Sequence, residues 1–267
     1  MSKNKLVVAC FMALGLLIGV PAQAQTLDRI TKSGTLKIAF DPSVPPWSYK
    51  DKNMQYAGYE YLVAEKFAND LGVKLEIVET NGANRIPLLI TNKVDLVVAA
   101  LTINDERKKV IDFSLPYGGT ETAVSGPVDA KVSSPADLVG KRIAVARGTV
   151  MDNQLTAVAP AGVEIVRFED ESTAMTAVIS RQFEYIAQAA SQNRTIMGKD
   201  PSIKIEPKVI LGTGMHGIGM RKGDQQLKAR VDAWVKANMK DGTLEKLFEQ
   251  AHGMPMPKRV VETATAP

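Results

Sequence analysis

The sequence holds one cysteine, Cys10, and two histidines, His216 and His252. The cysteine sits in an N-terminal leader, so the mature chain carries no thiol. That excludes a disulfide framework and thiol chemistry. Two histidines without cysteine are a poor set of transition-metal ligands, and neither a metal nor another cofactor is expected. No GxGxxG follows a strand, and Walker A and GxSxG patterns are missing. Past residue 24 no apolar run reaches the length of a membrane span. An excess of one charge is lacking as well: 33 basic residues stand against 29 acidic ones. Lys3 and Lys5 belong to the leader, so the mature net charge is about +2 and is interspersed, which gives no footprint for nucleic acid. These exclusions favour a soluble, exported binding module over an enzyme.

The leader itself is plain. "MSKNK" is a basic n-region, "LVVACFMALGLLIGV" an apolar stretch too short for a typical span, and "AQA" (22–24) a small-residue cleavage site. We expect a signal peptide over 1–24, cleavage after Ala24 and a periplasmic product. Cys10 lies too early in the apolar stretch for a lipoprotein signal. The rest suffices for two modest domains or one large one.

Strand and helix patterns alternate along that chain. "TLKIAF" (35–40), "VKLEIVE" (73–79) and the apolar run "VDLVVAAL" (94–101) read as strands. Between them, 59–72 reads as an amphipathic helix with Val63, Phe67 and Leu71 on one face, stopped by Gly72. "NRIPLLITN" (84–92) reads as a short helix capped by Asn84. A second series follows. Strands are expected at 141–146, 163–168, 183–189 and 217–222. Helices are expected from near Thr149, over 172–182 with Ser172 as cap, over 225–242 and from 243. "GTLKIAF" and "GKRIAVA" faintly echo each other at the start of the two series. Segment 114–127 lies between the series as a crossover. The tail after residue 258 is expected to fray. Two βαβα series point to α/β architecture in two lobes.

Ligands of α/β sheets bind at the carboxyl ends of the strands. Arg107 lies there, just past the strand 94–101, in a turn that Asn104 can cap, with Thr102 at the strand end. A guanidinium fork suits a carboxylate; the alternative is a solvated basic helix end, "RKK". Arg85 is a cation in the first turn of a helix, against the dipole, which asks for a compensating anion. That anion is either a ligand or Asp41. "VARGTVMD" (145–152) runs from a strand through Gly148 into a helix start, where free N–H groups favour an anion. Trp47, on the proline-stiffened loop 40–49, either covers a small ligand or plugs the core.

Taken together, "FDPSVPPWSYKD", "GYEYLVAEKFANDLGVKLE", "NKVDLVVAALTINDERKKVIDFSLPY", "DLVGKRIAVARGTV" and "GMRKGDQQLKARVDAWVKANMKDGTLEKLFEQ" resemble the polar amino-acid family of periplasmic solute-binding proteins, family 3, the capture subunits of ABC importers. The resemblance implies a two-lobed, Venus-flytrap α/β fold with two hinge strands. Lobe 1 would comprise 27–118 and 214–258, lobe 2 would comprise 119–213, and 259–267 would be a flexible tail. It implies a monomer that delivers a small carboxylate ligand, an amino acid or dicarboxylate, to an inner-membrane permease. Arg107 and Thr102, with backbone help from Ala100, would hold the ligand α-carboxylate together with Gly148, Thr149 and Val150. Trp47 is the aromatic after the paired prolines. Arg85 resembles the side-chain carboxylate ligand of the branch that binds aspartate and glutamate, where a hinge-side tyrosine is replaced here by His216. The family's aspartate for the ligand amino group is replaced by Ala189, with Gln188 beside it, and Asp41 is the acid best placed by sequence to compensate. The alternative is a dehydratase similar to cyclohexadienyl dehydratase, which needs a general acid in the cleft; Glu60, Glu121 and Glu184 are the acids open to that role.

Overall fold

The computed structural model describes residues 26–266. The expected signal peptide and its cleavage site lie outside the described residues. In chain order the chain forms α1 (Thr26–Ser33), β1 (Thr35–Phe40), β2 (Ser43–Val44), β3 (Ser48–Lys50), β4 (Tyr56–Ala57), α2 (Tyr59–Leu71), β5 (Lys74–Glu79), α3 (Arg85–Ile90), β6 (Leu96–Val97) and α4 (Asp105–Lys108). A long strand, β7 (Ile111–Pro127), leads into β8 (Arg142–Ala146), α5 (Val150–Val158), β9 (Glu164–Phe168), α6 (Glu171–Ile179), β10 (Tyr185–Ala189) and α7 (Asn193–Lys199). A second long strand, β11 (Ile205–Arg221), returns to α8 (Gln225–Lys240), α9 (Thr243–His252) and α10 (Lys258–Thr265).

Two parallel stacks, β5-β1-β6 and β10-β8-β9, are joined edge to edge through the antiparallel pair β11-β7. β7 and β11 are therefore the hinge, and each stack carries helices on its faces. One apolar core packs α2 (Val63, Phe67), α8 (Leu227, Val231, Trp234, Val235) and Phe248 of α9 against β1 in the first lobe. The second lobe has its own cores, around Ile143, Val145 and Leu155 and around Met175, Val178 and Ile186. Helix ends follow local chemistry. Gly72 stops α2 in the left-handed conformation, its N–H bonded to Asn69 O at 3.0 Å, and Asp224 caps α8 through Leu227 N–H at 3.2 Å. No helix among the described residues is long and apolar enough to cross a membrane.

Several expectations are corrected. The apolar run 94–101 is buried, but only Leu96 and Val97 pair as a strand; Ala100 takes φ 47° and turns the chain out of the ladder. Segment 114–127 is no loose crossover but part of the 17-residue β7, and the final strand begins at Ile205, not 217. The pattern Gly212-Thr213-Gly214-Met215-His216-Gly217 does spell GxGxxG, yet it lies inside β11 and opens no helix. Gly214 is needed there for close approach: a Cβ would lie 2.8 Å from the Thr102 side chain. The tail does not fray; α10 buries Val260 and Ala264 against the first lobe. Asn84 does not cap α3 with its side chain; Asn81 accepts from Asn84 N–H instead, at 3.0 Å. The cap of α6 is Asp170, not Ser172.

Candidate functional site in the interlobe cleft

Arg107 is not a solvated helix end. Asn104 Oδ1 accepts from Arg107 N–H at 2.8 Å and starts α4, while Lys108 and Lys109 point outward. The guanidinium folds back and is 9% exposed. Its Nη1 donates to Thr102 O at 2.9 Å, and Nη2 reaches Gly148 O of the opposite lobe at 3.5 Å. Burial, with help from the nearby Arg85 charge, pushes its pKa down to about 9, so it stays a cation at neutral pH.

Arg85 is 4% exposed. Its Nη1 donates to Ala99 O at 2.6 Å, and its Nε has no hydrogen-bond partner. Among the described residues neither arginine has a carboxylate oxygen within 4.0 Å. Asp41, the possible protein partner of Arg85, is turned into its own loop, where it accepts from Ser43 N–H at 3.1 Å and Ser43 Oγ at 2.6 Å. Burial pushes its pKa up.

From the second lobe, Thr149 caps α5 by accepting from Asp152 N–H at 3.2 Å, and its hydroxyl donates to Ala146 O at 2.9 Å. Gly148 N–H donates to Asp152 Oδ2 at 3.2 Å, so the backbone N–H groups of Thr149 and Val150 are what this helix start contributes to an anion. Gly148 has φ 72°, and a Cβ there would lie 3.0 Å from Ala83 Cα across the cleft. The lobes are closed on each other. Ser172 Oγ donates to Ser43 O at 2.9 Å, and Thr195 Oγ1 to Pro45 O at 3.4 Å.

The cleft between them is a cavity of about 20 Å³, roughly the room a water molecule needs, so a ligand of amino-acid size enters only after the lobes part. Eight of the anticipated residues line it: Trp47, Arg85, Ala100, Thr102, Thr149, Val150, Ala189 and His216. Arg107 and Gly148 meet beside it. Asp41 and Gln188 do not line it; Gln188 Nε2 instead donates to Asn193 Oδ1 at 2.8 Å inside the second lobe. The Tyr117 hydroxyl donates to Glu60 Oε2, and burial pushes this carboxyl up to about 7 behind the cleft. Glu121 and Glu184 are exposed. Trp47 both covers the cleft and fills the core: it lines the cavity at 1% exposure, with ring centroids 4.4 Å from His216 and 4.3 Å from His252. Burial, then the Arg85, His252 and Arg107 charges, push His216 down to about 3, so it is a neutral imidazole.

Five further lining residues were missed: Val44, Thr120, Thr122, Met151 and Glu171. Glu171 matters most. It is 9% exposed, and Oε2 accepts from Gln192 Nε2 at 2.7 Å. Burial and then the Asp41 charge push its carboxyl up to about 7. The available signal was Asp170, as good an N-cap by residue type as Ser172; with Asp170 as cap the helix starts two residues earlier and Glu171 falls in its first turn. Among the described residues no group of three or more His, Cys, Asp or Glu could hold a metal.

The model of the bacterial extracellular solute-binding proteins, family 3, matches residues 36–254. The chain belongs to that family. Its two lobes, hinge pair and cleft are the family's binding fold. The L-cystine-binding protein TcyJ of Escherichia coli K12 is 26% identical over 254 residues, spanning 94% of this chain and 95% of that protein. The L-arginine-binding protein of Pseudomonas aeruginosa is 28% identical over 247 residues, 89% and 95% of the two chains. The crystal structure of the ancestral amino acid-binding protein AncCDT-1, a precursor of cyclohexadienyl dehydratase, superposes with a TM-score of 0.78 at 34% identity over 85% of this chain and 99% of that one. The cyclohexadienyl dehydratase of Pseudomonas aeruginosa is 35% identical, but only over 112 residues, 41% of this chain and 42% of that enzyme.

Proposed function

We propose that this family member captures a small amino acid, an acidic one by preference, between its lobes in the periplasm and presents it as a monomer to an ABC permease. One observation carries the reading: Arg85 and Arg107 are both buried at the cleft and bonded to backbone carbonyls, and among the described residues neither has a carboxylate oxygen within 4.0 Å. A buried cation with no direct ion-pair partner is costly, and an anionic ligand in contact with it offsets that cost. Arg107, with the 148–150 helix start facing it, would take the α-carboxylate; Arg85 would take a side-chain carboxylate. A cationic ligand side chain would meet Arg85 instead. The lobes would divide where β7 and β11 cross, near 118/119 and 213/214. Arg107 and Gly148 lie on opposite lobes, so only the closed form makes every contact, and ligand shifts the population toward it.

The test is a thermal-shift screen of the chain from residue 25 with amino acids, dicarboxylates and 2-oxo acids. Ligand at 100 times its Kd should add about 2.7 kcal/mol of stability. A response to basic amino acids alone would remove the Arg85 assignment. Calorimetry on Arg107→Ala should lose about 2–5 kcal/mol of affinity, the scale for breaking a buried charge pair. Unchanged binding would take Arg107 out of the site.

A second reading is favoured by Glu171, a cleft carboxyl pushed up to about 7 and so suited to act as a general acid. In a dehydratase it would give its proton to the departing hydroxyl of prephenate. Water and carbon dioxide leave and phenylpyruvate remains. Incubation of the purified chain with prephenate decides this: no phenylpyruvate sinks it.

A further inference from the structure

The cleft has two guanidinium groups beside it and, among the residues lining the cavity, one acid, Glu171. Its placement is built rather than incidental. Glu171 opens α6 directly after the cap Asp170, which fixes the backbone through Thr173 N–H at 2.7 Å. The fully buried Gln192 then ties the carboxyl to the end of β10. Gln192 Oε1 accepts from Ala189 N–H at 3.1 Å, and Gln192 Nε2 donates to Glu171 Oε2 at 2.7 Å. Ala189 and Glu171 therefore sit side by side in the cavity wall, one amide apart. The methyl of Ala189 offers nothing polar, and the carboxyl has Gln192 as its hydrogen-bonding side-chain partner. A carboxyl held in the wall of a ligand cavity, beside a methyl and tied by one amide, suits a donor carrying positive charge.

We infer that Glu171, positioned by Gln192, is the anchor for the ligand's α-ammonium group, so that the cleft selects amino acids over carboxylates lacking the amine. This rests on the binding reading given above. It moves the carboxylate sought at position 189, and assigned by sequence to Asp41, onto a neighbouring helix. With Glu171 ionised, the cleft carries the charge of two arginines less one carboxylate. That complements an acidic amino acid, whose net charge is −1.

The charged groups facing Glu171 are Asp41 and Asp170, which hold its pKa up, and Arg85, which holds it down; the Gln192 bond also favours the ionised form. An ammonium at the carboxyl would favour ionisation further and displace a proton. Binding of L-glutamate near pH 6.5 should release protons, visible as a dependence of calorimetric heat on the buffer's ionisation enthalpy.

The deciding experiment compares L-glutamate with glutarate, which lacks the amine, on wild type and Glu171→Gln. Wild type should prefer glutamate. In the variant glutamate should weaken on the order of 10- to 100-fold, the scale of a charge-assisted hydrogen bond. Glutarate should bind as well as before or better, and the proton release should vanish. Retained glutarate binding also reports that the variant folds. An unchanged glutamate-to-glutarate ratio in Glu171→Gln overturns the assignment, and so does a wild type that binds glutarate as tightly as glutamate; carboxylate capture survives both results. A wild type that binds neither overturns the acidic amino-acid reading and this assignment with it.

Discussion

Arg85 and Arg107 look alike in composition and differ in what holds them. Arg107 is fixed at both ends, by its N–H to Asn104 and its guanidinium to Thr102 O, whereas Arg85 has one short bond to Ala99 O and an unpaired Nε. Burying a guanidinium with so few partners destabilises the unliganded protein, and replacing it by a neutral group of similar length relieves that cost. Arg85→Gln should therefore leave the unliganded melting temperature unchanged or raise it. L-glutamate should lose about 2–5 kcal/mol of affinity, the cost of truncating one partner of a buried charge pair. L-glutamine, which has no side-chain carboxylate, should lose less. Equal losses for both ligands, together with a lower melting temperature, would make Arg85 part of the scaffold. Lysine is a weaker substitute at either arginine because it lacks the planar fork that grips both carboxylate oxygens.

At the scale of elements, the start of α6 decides which residues face the cleft. Asp170 caps it, Glu171 turns into the cavity, and Ser172 reaches across to Ser43 O. Asp170→Ala should cost about 1 kcal/mol of stability, as loss of an N-cap does, and should weaken ligand as well, because Glu171 loses its fixed backbone. Ser172→Ala should leave stability closer to wild type and act on closure. Chemical denaturation of the two variants separates them, and a larger stability loss in Ser172→Ala would return the cap to Ser172. The sequence expectation named Ser172, and that two-residue slip hid Glu171. The elements with a clear 3.6 period, α2 and α8, were legible, as were the strand ends that place Thr102, Arg107 and Gly148, because α/β topology puts ligands there. The hinge was not. β7 and β11 are glycine-rich and slip register at several points, so they show no sustained alternation. The link from Ala189 through Gln192 to Glu171 is tertiary and leaves no spacing to read.

Across the whole molecule, the buried titratable groups set opposing pH dependences. Glu60 and Glu171 are pushed up to about 7 by burial, while His216 and His252 are pushed down to about 3 and about 4 by the same cause. A carboxyl with a raised folded-state pKa contributes stability below its ordinary value of 4.5 that is lost as pH rises toward 7. A histidine with a depressed pKa does the reverse: its contribution is present above the ordinary 6.5 and is lost as pH falls toward 4. Between pH 5 and 6.5 the folded chain keeps protons on both carboxyls that the unfolded chain has released. The unfolded chain binds protons on both imidazoles that the folded chain refuses. Each group tilts stability by about 1 kcal/mol per pH unit in this window, and the two pairs nearly cancel. Asp41, also raised, adds to the carboxyl side at the acid end. With its lobes closed, the chain should therefore show nearly level stability from pH 5 to 6. Glu171→Gln should tilt the curve upward with pH by about one group's share, and the double variant with Glu60→Gln by about twice that. Urea denaturation at pH 5.0, 5.5 and 6.0 measures the slopes directly. Parallel curves for wild type and Glu171→Gln would mean that the Glu171 carboxyl titrates like a solvent-exposed one, and its place in a dry cleft would be lost with it.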